Sequence, residues 1–428
     1  MDEHLSFSSN IAKTRVSPLV ILYIVVFLIA RTGQLSSVFT SGCLFLGLVL
    51  VFVSKKEHGL MCLFFTCFIS DNMILVGGVS YEAVLDIIVL IKYCKLEMER
   101  KSFLAVLIII FGQIISIITY NNSIMNVLSL AVRMLLMVYI IYDDSVISFR
   151  ELIPHIAMLS VTSGAIIGLL FYSPKYEWQR FSGLWNDDNF CGMYCLVAMI
   201  LSFYLIINKS KLRNAIPLVC LTICTYTATK TWSRSFIFIT CAVFALFLFC
   251  MLHNKEMNPS LKFIVIAFCI IGFGLIANYS FSVIIEQRGL TYTASDSDWT
   301  HGRLELTGNA LKVVFNDIKA FLFGSGVNNV PSMVAANGYT AMATHNTFAD
   351  FVVQFGVPIG VLNYFILGTV LRKGVLSNCE KDGSFWVFII VLLYGACLTL
   401  TQYTIFYISL GFFINRIVFT QEREFLMC

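Results

Sequence analysis

Charged residues are scarce in this sequence. Asp, Glu, Lys and Arg make up 13% of 428 residues, whereas a typical soluble domain carries roughly 25%. A water-soluble globule is therefore excluded. The hydrophobic content of 58% and the mean hydropathy of +0.83 also exclude disorder, which requires low hydrophobicity. The formal net charge of +4 is too small to indicate nucleic-acid binding.

Metal-binding and processing motifs are also lacking. The 14 cysteines include no CxxC pair and no Cys/His cluster. Cys191/Cys195 and Cys220/Cys224 have helical spacing inside apolar runs, which favours packing over a metal site. The polar N-terminal segment leads into an apolar run without an A-x-A-like cleavage site. That run is predicted to be a first membrane anchor, not a cleaved signal.

Long apolar runs recur along the whole chain. In lipid each backbone amide must be satisfied within its own segment, so these runs predict helices and not the short alternating strands of a barrel. We therefore predict an all-α, polytopic transmembrane bundle of about twelve to fourteen spans, forming one integral membrane domain over residues 1–428. The predicted spans are 18–34, 36–54, 59–77, 79–95, 103–120, 124–142, 152–172, 189–208, 214–230, 235–253, 262–281, 346–371, 384–402 and 404–420.

Basic residues are distributed unevenly between the two sets of loops. Loops on the side of the N-terminus carry 19 of the 29 Lys and Arg residues, the opposite loops carry 9, and Arg133 falls within a span. Cytoplasmic loops of membrane proteins are enriched in Lys and Arg. The distribution predicts that both termini are cytoplasmic and that the opposite loops face the outside of the cell.

Two predicted external loops differ from the rest. One is short, over 173–188, and the other, over 282–345, is the only sizeable soluble segment. Helical spacing of apolar residues in the long loop predicts an amphipathic helix from Arg303 to Leu322, lying on the membrane surface, before Gly324 and Gly326 break the pattern. Its predicted apolar face consists of Leu304, Leu311, Phe315, Ile318 and Leu322.

Lys and Arg residues on the predicted external side call for an explanation, because positive charge is rare there. Lys230 and Arg234 lie at the tight turn between two predicted spans. A guanidinium at the mouth of a helix favours an anionic ligand. Snorkelling or a salt bridge to a loop carboxylate is the alternative. Lys312 and Lys319, on the predicted surface helix, are interpreted as solvated residues.

His345 and Asn346 end the long loop, where a helix begins. Neutral imidazole accepts a proton from an attacking hydroxyl, so His345 is a candidate general base that Asp350 could orient. A lone loop histidine without catalytic function is the alternative. His301 is a weaker competitor for the same role.

The short external loop contains the run from Arg180 to Asn189, which leads into a predicted span. Asp187 and Asp188 could bind a divalent cation, since hard cations prefer carboxylates. N-capping by Asp188 or Asn189 explains these residues about as well.

The order of these motifs resembles that of the O-antigen ligase and polymerase superfamily, bacterial membrane glycosyltransferases that use undecaprenyl-pyrophosphate-linked glycans. The motifs cover about residues 180–360, and the first departs slightly from the common Asp-Pro-Asn pattern with Asp187-Asp188-Asn189. The motifs, in chain order, are Arg180 with Gly183 and Asn189, Ser233-Arg234-Ser235, Gly302-Arg303, Gly324-Ser325-Gly326, His345-Asn346 and Phe355-Gly356-Val357-Pro358-Ile359-Gly360.

The resemblance implies an inverting enzyme without metal or cofactor. His345 is expected to act on the acceptor hydroxyl, with Arg234 and Arg303 stabilising the pyrophosphate. The expected pyrophosphate- and glycan-binding residues are Arg180, Asn189, Lys230 and Asn346, together with Arg288, which matches no motif of the family and is a candidate by its position. The expected partners are the lipid-linked oligosaccharide, an acceptor glycan, membrane lipids and a chain-length regulator.

Three functions stay open on the sequence. The preferred one is polymerisation of O-antigen or capsule repeat units at the bacterial cytoplasmic (inner) membrane, with the active site on the external face. The first alternative is an O-antigen ligase that transfers the glycan to lipid A core in lipopolysaccharide biosynthesis. The second is a polysaccharide-lipid transporter or flippase, for which Asp71 or Arg133 could mark a path; contacts within the bundle are the favoured interpretation of both residues.

Overall fold

The computed structural model describes residues 16–427 except positions 71–72, 76–78, 94–99, 173, 175–179, 186, 209–214, 254–262, 264–265, 268–269, 271–273, 275–277, 279–302 and 377–381. In the part of the chain so described, the only β pairing is one isolated antiparallel bridge, between Ile74 and Ser80. The predicted all-helical class is confirmed. The predicted span over 262–281 lies largely outside the described residues, and Asp71, Arg288 and His301 lie wholly outside them.

The helices follow one another with short connections through most of the chain. In chain order they are α1 Pro18–Arg31, α2 Ser37–Val53, α3 Lys56–Cys67, α4 Tyr81–Tyr93, α5 Arg100–Tyr120, α6 Ile124–Tyr142, α7 Ser145–Phe149, α8 Ile153–Phe171, α9 Asp188–Asn208, α10 Ala215–Lys230, α11 Arg234–His253, α12 Arg303–Asn316, α13 Ile318–Phe323, α14 Val330–Ala336, α15 Thr347–Phe355, α16 Val357–Leu376, α17 Gly383–Tyr394 and α18 Thr404–Met427.

Four helical segments among the described residues are long and apolar enough to cross a membrane. Six shorter apolar helices accompany them. These lengths and compositions are those of a membrane protein. The four segments are Arg100–Tyr120, Ile124–Tyr142, Arg150–Phe171 and Asp188–Ile207.

Helix α9 forms the centre of the bundle. Its most apolar window is 83% buried, whereas that of α5 is 17% buried, so α5 lies at the periphery. Helix α9 contacts α8, α10, α11 and α17, and Cys191 and Cys195 on it are fully buried. A helix that is apolar on all sides buries all of its faces, which explains the central position of α9 and the packing role of its cysteines.

The single span predicted over 346–371 is wrong, because the structure divides it into α15 and α16. Gly356 separates the two helices with φ +82°. A Cβ atom at Gly356 would lie 2.5 Å from the carbonyl oxygen of Leu322. Pro358, in the first turn of α16, has no N–H to continue α15. The two helices are therefore joined at a point where another segment approaches closely.

The helix predicted from Arg303 to Leu322 is also two helices, α12 and α13. Asp317 interrupts it with extended dihedrals, and its Oδ1 accepts a hydrogen bond from the Lys319 amide at 2.9 Å. The Asp317 carboxylate also accepts a hydrogen bond from the Tyr120 hydroxyl at the end of α5. This contact and the cap together explain the break.

The apolar face predicted for this segment does not pack on the protein. The buried side chains of α12 are Ala310, Val313 and Val314. The sequence pattern assigns the exposed face to the membrane surface, but it does not identify the second apolar face, which packs on the protein. Leu311 alone of the predicted face is partly buried, while the exposed members are Leu304, Phe315, Ile318 and Leu322.

Gly324 gives a test of this packing. Its φ is +71° and its ψ is −178°, a region that essentially only glycine occupies. A Cβ atom there would lie 2.4 Å from the Gln354 backbone. We expect Gly324→Ala to destabilise the protein by about 1–3 kcal/mol, seen as a lower midpoint of thermal unfolding in detergent micelles.

Gly308→Ala is the matched control. Gly308 lies within α12, and nothing lies within 4 Å of a Cβ atom built on it. Alanine favours a helix over glycine by about 0.5–1 kcal/mol, so this variant should melt at or above the wild-type midpoint. A Gly324→Ala protein that melts with the wild type would contradict the close approach.

Candidate active site

The loop that carries Arg180 is held by buried contacts to two other helices. The Arg31 Nη2 atom at the end of α1 donates to the Leu184 carbonyl at 2.8 Å, and the Trp185 Nε1 atom donates to the Phe68 carbonyl at 2.6 Å. Arg31 is buried. The only sequence feature that pointed to a role for Arg31 was its positive charge on the predicted external side.

The start of α9 is tied to the turn between α10 and α11. The Asp187 Oδ1 atom accepts hydrogen bonds from the Asn189 backbone amide at 2.6 Å and from its Nδ2 atom at 2.7 Å. The Asn189 Oδ1 atom accepts from the Ser233 hydroxyl at 2.7 Å. Asn189 is buried, so it brings the first two sequence motifs together.

Arg180 reaches the same turn. Its Nε atom donates to the Thr231 carbonyl at 3.1 Å, and its guanidinium forms a salt bridge with Asp188. The Phe181 amide donates to the Lys230 carbonyl at 3.2 Å. The Arg180 charge is thus balanced by Asp188. Capping and ion pairing account for the adjacent acids, which were also considered as metal ligands.

The turn that precedes Arg234 is unusual in its backbone. Trp232 has φ +49°, a conformation that is rare for a bulky residue and tends to occur at functional sites. Arg234 is the first residue of α11 and is partly buried. Lys230 is exposed, and its ammonium lies 5.3 Å from the centroid of the Tyr226 ring on its own helix.

His345 also has a left-handed backbone, with φ +52°. It is partly buried, and the charges of Arg303 and Asp187 both act on its ring. Burial and, second, the Arg303 charge lower the pKa of His345 below its ordinary value, while Asp187 opposes the shift. The imidazole is therefore neutral near pH 7 and able to accept a proton.

Asp350 does not orient His345 as the sequence predicted. Its Oδ1 atom accepts a hydrogen bond from the Thr344 hydroxyl at 2.6 Å. The Thr344 carbonyl in turn accepts from Thr307 of α12 at 3.2 Å. Asp350 thus fixes the backbone beside His345 and supports the imidazole only indirectly, through Thr344.

Asn346 has a capping role in the structure. Its Oδ1 atom accepts from the Phe348 amide at 3.0 Å and from the Ala349 amide at 3.1 Å, which starts α15. Arg303, at the start of α12, donates from Nη1 to the Cys397 carbonyl at 3.3 Å. The loop between α17 and α18 therefore borders the same site.

The Gly324-Ser325-Gly326 motif lies along the end of α15. The Ser325 amide donates to the Val353 carbonyl at 2.8 Å, and the Gly326 amide donates to the Gln354 carbonyl at 3.1 Å. Gln113 of α5 bridges the two segments, donating to the Gln354 carbonyl and accepting from the Val327 amide. Sequence reasoning missed Gln113, whose only signal is a polar residue inside an apolar span.

A polar cavity of about 260 Å³ lies beside this site. Arg133 on its wall forms an ion pair with buried Asp86, with 3.6 Å between Nε and Oδ2, and its Nε donates to Thr404 at 3.1 Å. The predicted contact of Arg133 within the bundle is therefore confirmed. The residues lining the cavity are Ser70, Ser80, Glu82, Asn126, Ser129, Arg133, Val327, Asn328, Gln402 and Tyr403.

The cavity approaches the start of α9 through Tyr403. Tyr403 lines the cavity, and its ring centroid lies 4.6 Å from that of Phe190, which follows Asn189. The sequence placed Arg133 within a span but did not connect it to Glu82 and Asp86. Those two acids lie one helical turn apart on α4.

The structure thus gathers most of the predicted site residues at one end of the bundle. Arg303, His345 and Asp187 interact electrostatically, while Arg180, Asn189 and the turn before Arg234 form the adjoining wall. Arg288 lies outside the described residues. Within the described residues, no group of three or more His, Cys, Asp or Glu is arranged to hold a metal ion. The catalytic and binding roles stay predictions.

No family profile matches the chain, and no curated protein matches it either. The functional interpretation therefore depends on the order of the motifs and on the geometry described above.

Proposed function

We propose that this chain is a polysaccharide polymerase of the bacterial cytoplasmic membrane. It transfers a glycan from undecaprenyl pyrophosphate to a sugar hydroxyl of an acceptor. The observation that carries the proposal is that α12 meets the loop before α15, where the Thr307 hydroxyl donates to the Thr344 carbonyl at 3.2 Å, and that Arg303 of α12 and Asp187, at the start of α9, both act on the His345 ring. Arg303, Asp187 and His345 belong to three separate sequence motifs, whose order resembles that of the O-antigen ligase and polymerase superfamily.

The orientation of the protein follows from the distribution of basic residues. With both termini cytoplasmic, the twelve to fourteen proposed spans place His345 on the external side. The exposed apolar side chains of α12 and α13, among them Leu304, Phe315 and Ile318, support this arrangement. They suit helices that insert one face into the membrane surface beside the site.

The chemistry follows from the charges. The bond between sugar C1 and the pyrophosphate oxygen breaks, and negative charge grows on the leaving diphosphate. The guanidiniums of Arg303 and Arg234 stay protonated and bind phosphate oxygens in pairs. Because they are held in position beforehand, they stabilise the charge that develops in the transition state. Arg180 contributes less charge, since Asp188 already balances it.

His345 supplies the base. It accepts the proton of the acceptor hydroxyl as the acceptor oxygen forms its bond to C1 on the face opposite the leaving group. The product therefore has the inverted configuration at C1. The lowered pKa of His345 keeps the base unprotonated beside the Arg303 guanidinium and the Asp187 carboxylate.

Two other functions use parts of the same molecule. A ligase needs the same donor site and differs in its acceptor, lipid A core. A lipid transporter would use the cavity with its Arg133–Asp86 ion pair, since ionisable residues within spans mark substrate paths. We favour the enzyme, because Arg303 and Asp187 both act on the His345 ring and the order of the motifs resembles that of a glycosyltransferase superfamily.

The test is a transfer assay with purified protein in nanodiscs. The substrate is a synthetic undecaprenyl-pyrophosphate oligosaccharide, and the products are separated by length. The polymerase gives a ladder of lipid-linked repeats and releases undecaprenyl pyrophosphate. Transfer that occurs only after addition of lipid A core shows a ligase. Absence of both products, together with movement of the lipid across the membrane of proteoliposomes, overturns the proposal that the protein is an enzyme.

A further inference from the structure

The polar cavity beside the His345 site has the chemistry of a sugar-binding pocket. Apart from Val327, every residue that lines it carries a hydroxyl, an amide or a charge. Its hydroxyls and amides can each donate and accept hydrogen bonds, as the hydroxyls of a sugar do. The Tyr403 ring gives one wall an apolar surface that ends in a hydroxyl.

The cavity does not have the character of an anion-binding site. Arg133 is the one cation among the residues that line it, and its guanidinium already pairs with Asp86. We therefore assign the lipid diphosphate to the cations of the neighbouring site. An uncharged polyhydroxylated group needs no cation.

The Ser70 hydroxyl of the cavity has spare hydrogen-bonding capacity. It is 4% exposed and lies beside Glu82, without a hydrogen bond of normal geometry. A hydroxyl donates one hydrogen bond and accepts two. A ligand hydroxyl entering the cavity can therefore pair with Ser70.

The size of the cavity sets the size of the ligand. Sites for drug-sized ligands occupy about 300–1,000 Å³, and this cavity has about 260 Å³. The cavity therefore has room for one sugar ring but not for a whole oligosaccharide. The Tyr403 ring on the cavity wall lies 4.6 Å from the Phe190 ring at the start of α9, and Asp187, just before α9, acts on the His345 ring. A sugar seated here therefore lies on the side of the cavity that faces the start of α9.

The geometry points to a subsite for the acceptor: the cavity binds one sugar residue of the acceptor glycan. This assignment rests on the proposed function and extends it by locating the site that holds the attacking acceptor sugar. In this assignment Arg303 and Arg234 bind the diphosphate, while Gln402 and Asn126 hold the acceptor sugar whose hydroxyl His345 deprotonates.

Replacing lining amides tests this subsite. The assay uses lipid-free repeat-unit oligosaccharide as acceptor and the lipid-linked oligosaccharide as donor. Gln402→Leu and Asn126→Ala should each raise the acceptor KM about three- to tenfold, as the loss of one or two hydrogen bonds predicts. The donor KM should stay within about twofold of the wild-type value. Gln34→Leu, at an exposed glutamine outside the cavity, is the matched control.

Direct binding separates this inference from the proposed function. Binding of tritiated oligosaccharide to protein that carries His345→Gln is measured by equilibrium dialysis. This measurement requires no turnover. Binding that is weakened by Gln402→Leu and Asn126→Ala but kept in Gln34→Leu supports the subsite, even if the wild type transfers no sugar. Unchanged binding and an unchanged acceptor KM in both cavity variants of an active enzyme overturn the subsite and leave the proposed function standing.

Discussion

Replacement of His345 by glutamine is expected to reduce glycan transfer by about 10²–10⁴-fold, the range that a general base contributes. Glutamine keeps a polar side chain but cannot accept the proton of the acceptor hydroxyl near pH 7. The donor KM should change little, because the diphosphate is bound by the arginines. The measurement is the initial rate of transfer at saturating donor.

The wild-type pH profile belongs to the same prediction. A neutral imidazole is required, so activity falls as the pH drops through the pKa of His345. Burial and the Arg303 charge lower that pKa, so the acidic limb should lie below the ordinary histidine value of about 6.5.

The matched control for His345 is His155→Gln. His155 is a partly exposed histidine near the start of α8, whose Nδ1 atom contacts the Glu151 carbonyl. It should leave the rate and the pH profile unchanged. A His345→Gln enzyme that works within about twofold of the wild type would remove the general base from the mechanism.

Replacement of Arg303 by glutamine is expected to lower kcat by about 10²–10³-fold, as for other groups that stabilise developing negative charge. It should also move the acidic limb of the pH profile to higher pH. The Arg303 charge lowers the pKa of His345, so its removal raises that pKa and protonates the base at a pH where the wild type is active.

Arg303→Lys separates the two effects. Lysine keeps the charge and therefore the position of the acidic limb, but it lacks the planar fork that binds two phosphate oxygens. Lys312→Gln, a cation farther along α12, is the control for a nonspecific charge effect. If Arg303→Gln lowers kcat without moving the limb, Arg303 does not act on His345.

The helical class could be predicted because apolar runs in lipid must satisfy their own backbone. Helix breaks were harder to predict. Gly356 and Asp317 each end a helix through contacts with residues distant in sequence, Leu322 and Tyr120. No local pattern carries such contacts, so both segments were predicted as single helices.

The candidate site was predicted in part, for a similar reason. Residue type and sidedness singled out Arg303 and His345, since a cation or an imidazole is unusual in such a loop. Residues that only position others, such as Arg31 and Gln113, carry no such signal, because their partners are backbone carbonyls far along the chain. Asp350 was noticed, but its actual partner, Thr344, depends on how the loop folds.

The most direct test of the account is photolabelling with an undecaprenyl-pyrophosphate analogue that carries a diazirine next to the diphosphate. After irradiation and digestion, mass spectrometry identifies the labelled peptides. The account predicts label both in the segment from Arg180 to Asn189 and in the segments around Arg303 and His345, with competition by unlabelled lipid-linked oligosaccharide. Label confined to peptides at the opposite end of the bundle, such as those around Lys92 and Arg150, would contradict it.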